Sequence, residues 1–309
     1  MNAPTPRFSG VIPPVVTPLT ATGEIDRASL ERVVEFLIDG GVTGLFALGS
    51  SGETAYLTPE QQDTVIETVV GAAGGQVPVI TGAIETTTNR AIERVRAAVK
   101  LGADAVVATA PYYTRTDDTE IDRHFRQIAQ AAEVPLLAYD VPVCVHSKLS
   151  PALLLSLAAD GVLAGVKDSS ADDVSFRRLC LGAADLPGFA LLTGHEVVVD
   201  SAMLGGAHGV VPGLGNVDPH GYRRLYDAAV RGDWTAAKAE QDRLARLFEI
   251  VFQADSATAS ATAGGLGSFK TALMLRGIIA TNVVSPPMRA LNETETAAIR
   301  TLLEQAGLL

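Results

Sequence analysis

The sequence predicts an α/β chain folded as a (β/α)8 TIM barrel with a C-terminal helical appendage, on three observations. Eight short apolar runs recur between residues 11 and 211, helical patterns separate them, and no glycine-rich dinucleotide fingerprint follows the first run. The runs are residues 11–16, 44–48, 77–81, 105–108, 136–139, 162–166, 190–193 and 208–211. Strands of a parallel sheet are covered on both faces and so read as short continuous apolar stretches. Between them, Leu30, Val33, Val34, Leu37 and Ile38 share one face of a 3.6-residue period, as do Ala91, Val95, Ala98 and Val99. Thr58-Pro59-Glu60 and Ser150-Pro151 set a capping hydroxyl before a proline at the first helical position, and Gly40 and Gly102 stand where helices end. An open doubly wound sheet would carry a G-x-G-x-x-G turn after its first strand, where Val15-Val16-Thr17-Pro18-Leu19 stands instead.

Residues 1–217 are expected to form the barrel with its active site. Residues 218–309 are expected to supply the last barrel helix and a helical region, with helical patterns at 222–231, 234–252, 269–279 and 293–306. The Ala/Ser/Thr/Gly-rich stretch 254–267 reads as a flexible connection. Within residues 264–271, GGLGSFKT has Phe269 where a phosphate loop needs glycine, so it reads as a loop and helix start. Lys270 accordingly reads as a surface or interdomain lysine.

Composition removes several classes of function. The 309 residues carry a formal net charge of −11, which argues against a nucleic-acid surface and against docking on anionic membranes. Two cysteines, Cys144 and Cys180, suggest neither a disulfide framework nor a metal site, as expected in a reducing cytoplasm. The start MNAPTPRFSG lacks the pattern of a signal peptide, and no apolar run approaches the ~20 residues of a membrane span. Five scattered histidines suggest no metal centre, and nothing in the motifs calls for a cofactor.

Barrel active sites lie at the carboxyl ends of the strands. The second run ends in Gly49-Ser50-Ser51-Gly52-Glu53, a turn of small hydroxyls and exposed N–H groups that suits a carboxylate or phosphate, or that simply caps itself. The fifth ends at Tyr139, a proton shuttle or a core phenol. The sixth ends at Lys167, an ion-pair partner or a desolvated nucleophile. A lysine, a phenol and an anion-binding turn on one face suit Schiff-base chemistry on a keto acid, which favours the nucleophile.

GSSGE, Pro111-Tyr112-Tyr113, Tyr139-Asp140-Val141-Pro142 and Gly165-Val166-Lys167-Asp168-Ser169-Ser170, in this order and spacing, closely resemble the dihydrodipicolinate synthase/N-acetylneuraminate lyase family of class I aldolases. The resemblance runs from Gly10 to the carboxyl terminus. It implies that Lys167 forms an imine with the ketone carbon of a 2-oxo acid such as pyruvate and that Tyr139 shuttles protons. Ser50 would relay between Tyr139 and Tyr113, the latter reaching into a neighbouring subunit of a homo-oligomer (tetramer or dimer). Ser51 and Gly52 would hold the substrate carboxylate, and a backbone group of Val211 would touch the bound pyruvate.

Several positions depart from the family pattern. Cys144 stands where the synthases usually place an arginine for the second substrate's carboxylate, so bidentate capture is lost there. Asp140 replaces the usual asparagine and His146 a common glycine. After the seventh run, Gly194-His195-Glu196 replaces the two acidic residues of the sialic-acid lyases, and either His195 or Glu196 is a candidate for binding a substrate hydroxyl. The resemblance therefore implies a Schiff-base lyase, an aldolase or dehydratase, for a 2-keto-3-deoxy sugar acid or a similar substrate. The alternatives are 4-hydroxy-tetrahydrodipicolinate synthase, joining pyruvate with aspartate semialdehyde, and a non-catalytic protein that binds a 2-oxo acid.

Overall fold

The computed structural model describes residues 6–309, so the first five residues of the start read for a signal peptide lie outside the described residues. Eight parallel strands form one sheet: β1 (Gly10–Val11), β2 (Leu45–Ala47), β3 (Val79–Gly82), β4 (Ala105–Thr109), β5 (Leu136–Asp140), β6 (Gly165–Asp168), β7 (Ala190–Thr193) and β8 (Gly209–Val210), in the order β1-β8-β7-β6-β5-β4-β3-β2. Every strand residue is buried, as expected where side chains cover one face and helices the other. The connecting helices contribute apolar stripes, such as Leu30, Val33, Val34 and Leu37 of Arg27–Asp39, to the same core cluster.

The first and sixth strands differ from the sequence expectation. β1 ends at Val11 because Pro13 and Pro14 have no N–H to continue a ladder. Ile12 still donates to Val210 O at 2.9 Å, and the chain then changes partner. Pro14 bridges Phe46 in parallel, Phe46 N donates to Pro13 O at 3.0 Å and Val15 N to Phe46 O at 2.9 Å, which joins the two end strands of the sheet. β6 begins at Gly165, since Val162 is still tied to the preceding helix through Leu157 O at 2.9 Å. Lys167 and Asp168 are the last two residues of the strand.

The carboxyl-terminal region is helical, with Pro219–Val230, Trp234–Phe248, Ala261–Leu275 and Glu293–Gln305. Residues 261–267, expected to be a flexible connection, are the first two turns of a helix capped by the Ser260 side chain, which accepts from Ala263 N. The glycines that suggested a loop serve close packing instead. A Cβ at Gly264 would stand 3.2 Å from Val251 O, and one at Gly267 3.0 Å from Leu291 Cγ. Among the described residues, no helix is long and apolar enough to cross a membrane.

Gly209 and Gly10 show how closely β1 and β8 approach, because a Cβ at Gly209 would fall on the Gly10 backbone. Gly209→Ala is expected to lower unfolding stability by about 1–3 kcal/mol through overpacking, measured as a reduced denaturant midpoint at unchanged slope.

Candidate active site

Lys167 and Tyr139 face each other because β5 and β6 pair in register at those residues, with Asp140 opposite Asp168 one step further on. Side chains alternate across a strand, so Lys167 and Tyr139 share one face of the sheet and the two aspartates the other. Lys167 is 5% exposed. Its Nζ lies 4.2 Å from the centroid of the Tyr139 ring and 5.1 Å from that of Phe46, and those rings meet edge to face at 6.3 Å. Among the described residues, no carboxylate oxygen comes within 4.0 Å of it. Lys167 is thus a buried amine against aromatic faces rather than half of an ion pair.

Gly194 leaves room for this amine. A Cβ there would strike the Ser169 hydroxyl and lie 3.2 Å from Lys167 Cε. The Ser50 hydroxyl reaches the Tyr139 hydroxyl at 3.4 Å, which brings the GSSGE turn to the phenol. The turn is a single 3-10 helix, Ser50–Gly52, in which Gly52 N donates to Gly49 O at 3.0 Å and Thr17 Oγ1 donates to Gly52 O at 2.8 Å. A Cβ on Gly52 would press on Val15 O at 3.1 Å, so glycine is required for the turn to sit this low.

Glu53 ends the turn in a left-handed conformation, φ 59°, with its side chain buried. Its Oε2 accepts from Ser285 N at 2.7 Å, and its Oε1 is paired with the ammonium of Lys270, which also donates to Val283 O at 2.8 Å. Lys270 is fully buried in the Ala261–Leu275 helix, which removes the surface reading and leaves the interdomain one: it fastens the carboxyl-terminal helices to the turn. Burial holds its ammonium below the ordinary range, against the pull of Glu53. The sequence hid this pair because the partners are far apart along the chain and each alone resembles a surface charge.

The other expected residues fall at varying distances from this centre. Val211 is buried, and its N–H donates to Thr193 O at 2.8 Å. Tyr113 is 93% exposed with φ 77°, and its ring stands outside the Ser50–Tyr139 pair of its own chain. His195 turns its Nδ1 to Asp173 at 3.3 Å. The Glu196 carboxylate accepts from Leu214 N at 2.7 Å and from the Tyr222 hydroxyl at 3.3 Å. Burial pushes Glu196 up to about 7, only partly offset by the Leu214 and Gly213 amides and by Lys167. Glu196 also lines a cavity of about 400 Å³ together with Phe248, Phe252 and Phe269.

Cys144 sits on a short helix, Pro142–Val145, directly after β5. The residue is exposed, yet partial burial of its thiol pushes it up, against the pull of Lys167 and the Ser50 hydroxyl. His146 caps that helix in a left-handed conformation and is exposed. Asp140 turns away from the amine, accepting Leu149 N at 3.1 Å and pairing with Lys148. Among the described residues, no group of three or more His, Cys, Asp or Glu side chains is placed to hold a metal ion.

A buried amine, a phenol and a hydroxyl turn at the carboxyl ends of parallel strands define a lyase of the class I aldolase type. The sequence profile of the Dihydrodipicolinate synthetase family matches residues 7–306, and the chain belongs to that family. A 4-hydroxy-tetrahydrodipicolinate synthase of Phenylobacterium zucineum is 39% identical over 249 residues, covering 80% of this chain and 83% of that one. One of Ruegeria pomeroyi is 35% identical over 304 residues, 98% of this chain and all of the other. Among solved structures, YagE, a prophage protein of the dihydrodipicolinic acid synthase family from E. coli K12 in complex with pyruvate, superposes with a TM-score of 0.90 at 30% identity, covering 98% of this chain and 99% of that one.

Two stability measurements test the polar contacts around the site. Lys270→Met leaves the Glu53 carboxylate buried and uncompensated and is expected to cost about 3–5 kcal/mol, with Glu53→Gln/Lys270→Met recovering a large part in denaturant unfolding. Glu196 binds its proton more tightly folded than unfolded, since its folded value of about 7 exceeds the ordinary 4.5. Its contribution is therefore fully present below about pH 4.5 and is lost as pH rises through 7, a swing on the order of 3 kcal/mol. Glu196→Gln is expected to remove that slope from the stability–pH profile.

Proposed function

We propose that the chain is a Schiff-base-forming lyase that acts on a 2-oxo acid of the pyruvate or 2-keto-3-deoxy sugar acid class. The observation that carries this is the Lys167 amine, buried without a carboxylate partner beside the Tyr139 ring, with the Ser50 hydroxyl 3.4 Å from the phenol oxygen. An ammonium cannot attack a carbonyl, so the attacking species is the neutral amine. The neutral amine adds to the ketone carbon, the carbinolamine loses water, and the protonated imine draws electrons from C3. From that state a C3–C4 bond breaks or forms, or a C3 proton leaves ahead of a departing C4 hydroxyl. Tyr139 carries protons to and from the carbinolamine oxygen and the leaving or arriving group, with Ser50 as its relay.

In this reading Ser51 and Gly52 hold the substrate carboxylate at the turn, with Val211 contributing a backbone contact to pyruvate. Glu196 and His195 meet hydroxyls on the distal part of the substrate. Tyr113 completes the relay of a neighbouring subunit, which its exposure supports, so the working form is a homo-oligomer, a tetramer or dimer, in the cytoplasm. The Pro14–Phe46 bridge supports a closed (β/α)8 barrel over residues 1–217 with residues 218–309 as its last helix and appendage.

The names of the Phenylobacterium and Ruegeria relatives favour a second reading, condensation of pyruvate with aspartate semialdehyde. Cys144 weighs against it, because a neutral thiol stands where a guanidinium would grip the second carboxylate.

Borohydride added with pyruvate is expected to leave a reduced adduct on Lys167 in peptide mass spectra. Its absence would sink the imine proposal. Tyr139→Phe is expected to keep the adduct but to lower turnover about 10²–10⁴-fold with any oxo acid the enzyme converts. Turnover of a panel of oxo acids, with aspartate semialdehyde plus pyruvate included, then separates the two readings and the non-catalytic alternative.

A further inference from the structure

One step beyond Tyr139 and Lys167, the same two strands carry a pair of carboxylates. Asp140 is wholly buried and Asp168 is nearly so, and the register sets them opposite each other. Two anions on adjacent strands repel unless a cation stands between them. Lys148 supplies it: its ammonium pairs with Asp140 and lies 3.8 Å from Asp168 Oδ2, while also donating to Leu149 O at 3.1 Å. The same aspartates also hold backbone. Leu149 N donates to Asp140 Oδ1, and the Ser170 N–H and hydroxyl donate to Asp168 Oδ1 at 2.8 and 2.7 Å.

We propose that Lys148 is a positioning residue for the imine chemistry: its ammonium neutralises Asp140 and Asp168 together and closes the loop from residue 140 to 149, so that Lys167 is shielded from two adjacent negative charges. The proposal rests on Lys167 being the imine-forming amine. The ionisable groups around that amine are Tyr139 on β5, Cys144 on the short helix, Glu196 after β7 and Asp168 on its own strand, with Asp140 and Lys148 behind them. Burial and the nearby Asp168 raise Asp140 above the usual carboxylate range, against the pull of Lys148 and Leu149 N, as expected of an anion that depends on its cation. Asp140, read from the sequence as a departure from asparagine, therefore does not add charge to the substrate side. It forms a unit with Lys148.

The sign of the electrostatic effect is fixed. Removing the Lys148 charge stabilises the Lys167 ammonium and leaves less neutral amine at a given pH, whereas removing the Asp140 charge does the reverse. The pH dependence of borohydride trapping by pyruvate would be measured for the full-length protein, Lys148→Met, Asp140→Asn and Asp140→Asn/Lys148→Met, each also with Glu196→Gln to remove the titration of that carboxyl. Lys148→Met is expected to move the trapping midpoint upward by about one pH unit, which slows trapping about tenfold on the acid side. The double variant is expected to return most of the way, and Asp140→Asn alone to shift downward. If Lys148→Met does not fold, the downward shift of Asp140→Asn and its reversal in the double variant still decide. Unchanged midpoints, with only the amount of folded protein altered, would overturn the positioning role. The absence of any adduct in the unmodified protein would instead remove the imine reading beneath it.

Discussion

A lysine amine buried against two aromatic rings, with no carboxylate oxygen within 4.0 Å among the described residues, is the constraint around which this molecule is arranged. An ammonium there would have to be taken from water with only π-faces in compensation. The sheet accepts that cost at Lys167 and surrounds it with features that make sense only if the amine must stay open. Gly194 keeps side-chain atoms off Lys167 Cε. Asp168, its immediate neighbour, is turned to the opposite face and occupied by Ser170. The register fixes Tyr139 beside it.

Charge in the vicinity is sorted by strand parity. Residues of one parity, Tyr139 and Lys167, face the site, and residues of the other, Asp140 and Asp168, face the loop side, where a cation meets them. The two buried lysines thus have opposite circumstances. Lys270 is paired with Glu53, while Lys167 has no carboxylate oxygen within 4.0 Å among the described residues. Both are surrounded by hydrophobic packing, so burial alone does not distinguish structure from chemistry; the presence of a carboxylate within bonding distance does.

Much of this was legible in the sequence, because strand-end residues of eight apolar runs form a short list on which Lys167, Tyr139 and the GSSGE turn stand out. The runs located every strand, although prolines 13 and 14 shortened the first and the tie of Val162 to Leu157 delayed the sixth. What stayed hidden depends on distance along the chain. The partners of Glu53 and Glu196 are set by tertiary contact, and no local pattern announces them. Residues 261–267 were misread for a different reason: glycine weakens an isolated helix, but here it lets the helix approach Val251 and Leu291, and packing outweighs propensity.

The Glu53–Lys270 pair also has a consequence for how the molecule comes into being. The GSSGE turn follows the second strand, but the cation that secures it, Lys270, lies in a helix made only after β8. Until that helix is made the turn lacks its fastening cation, and Glu53 stays in water, because burying its carboxylate alone is costly. The order of synthesis thus couples the seating of this turn to the helices that follow the sheet: a product that stops after β8 carries Lys167, Tyr139 and Ser50 but not the cation that fastens the turn.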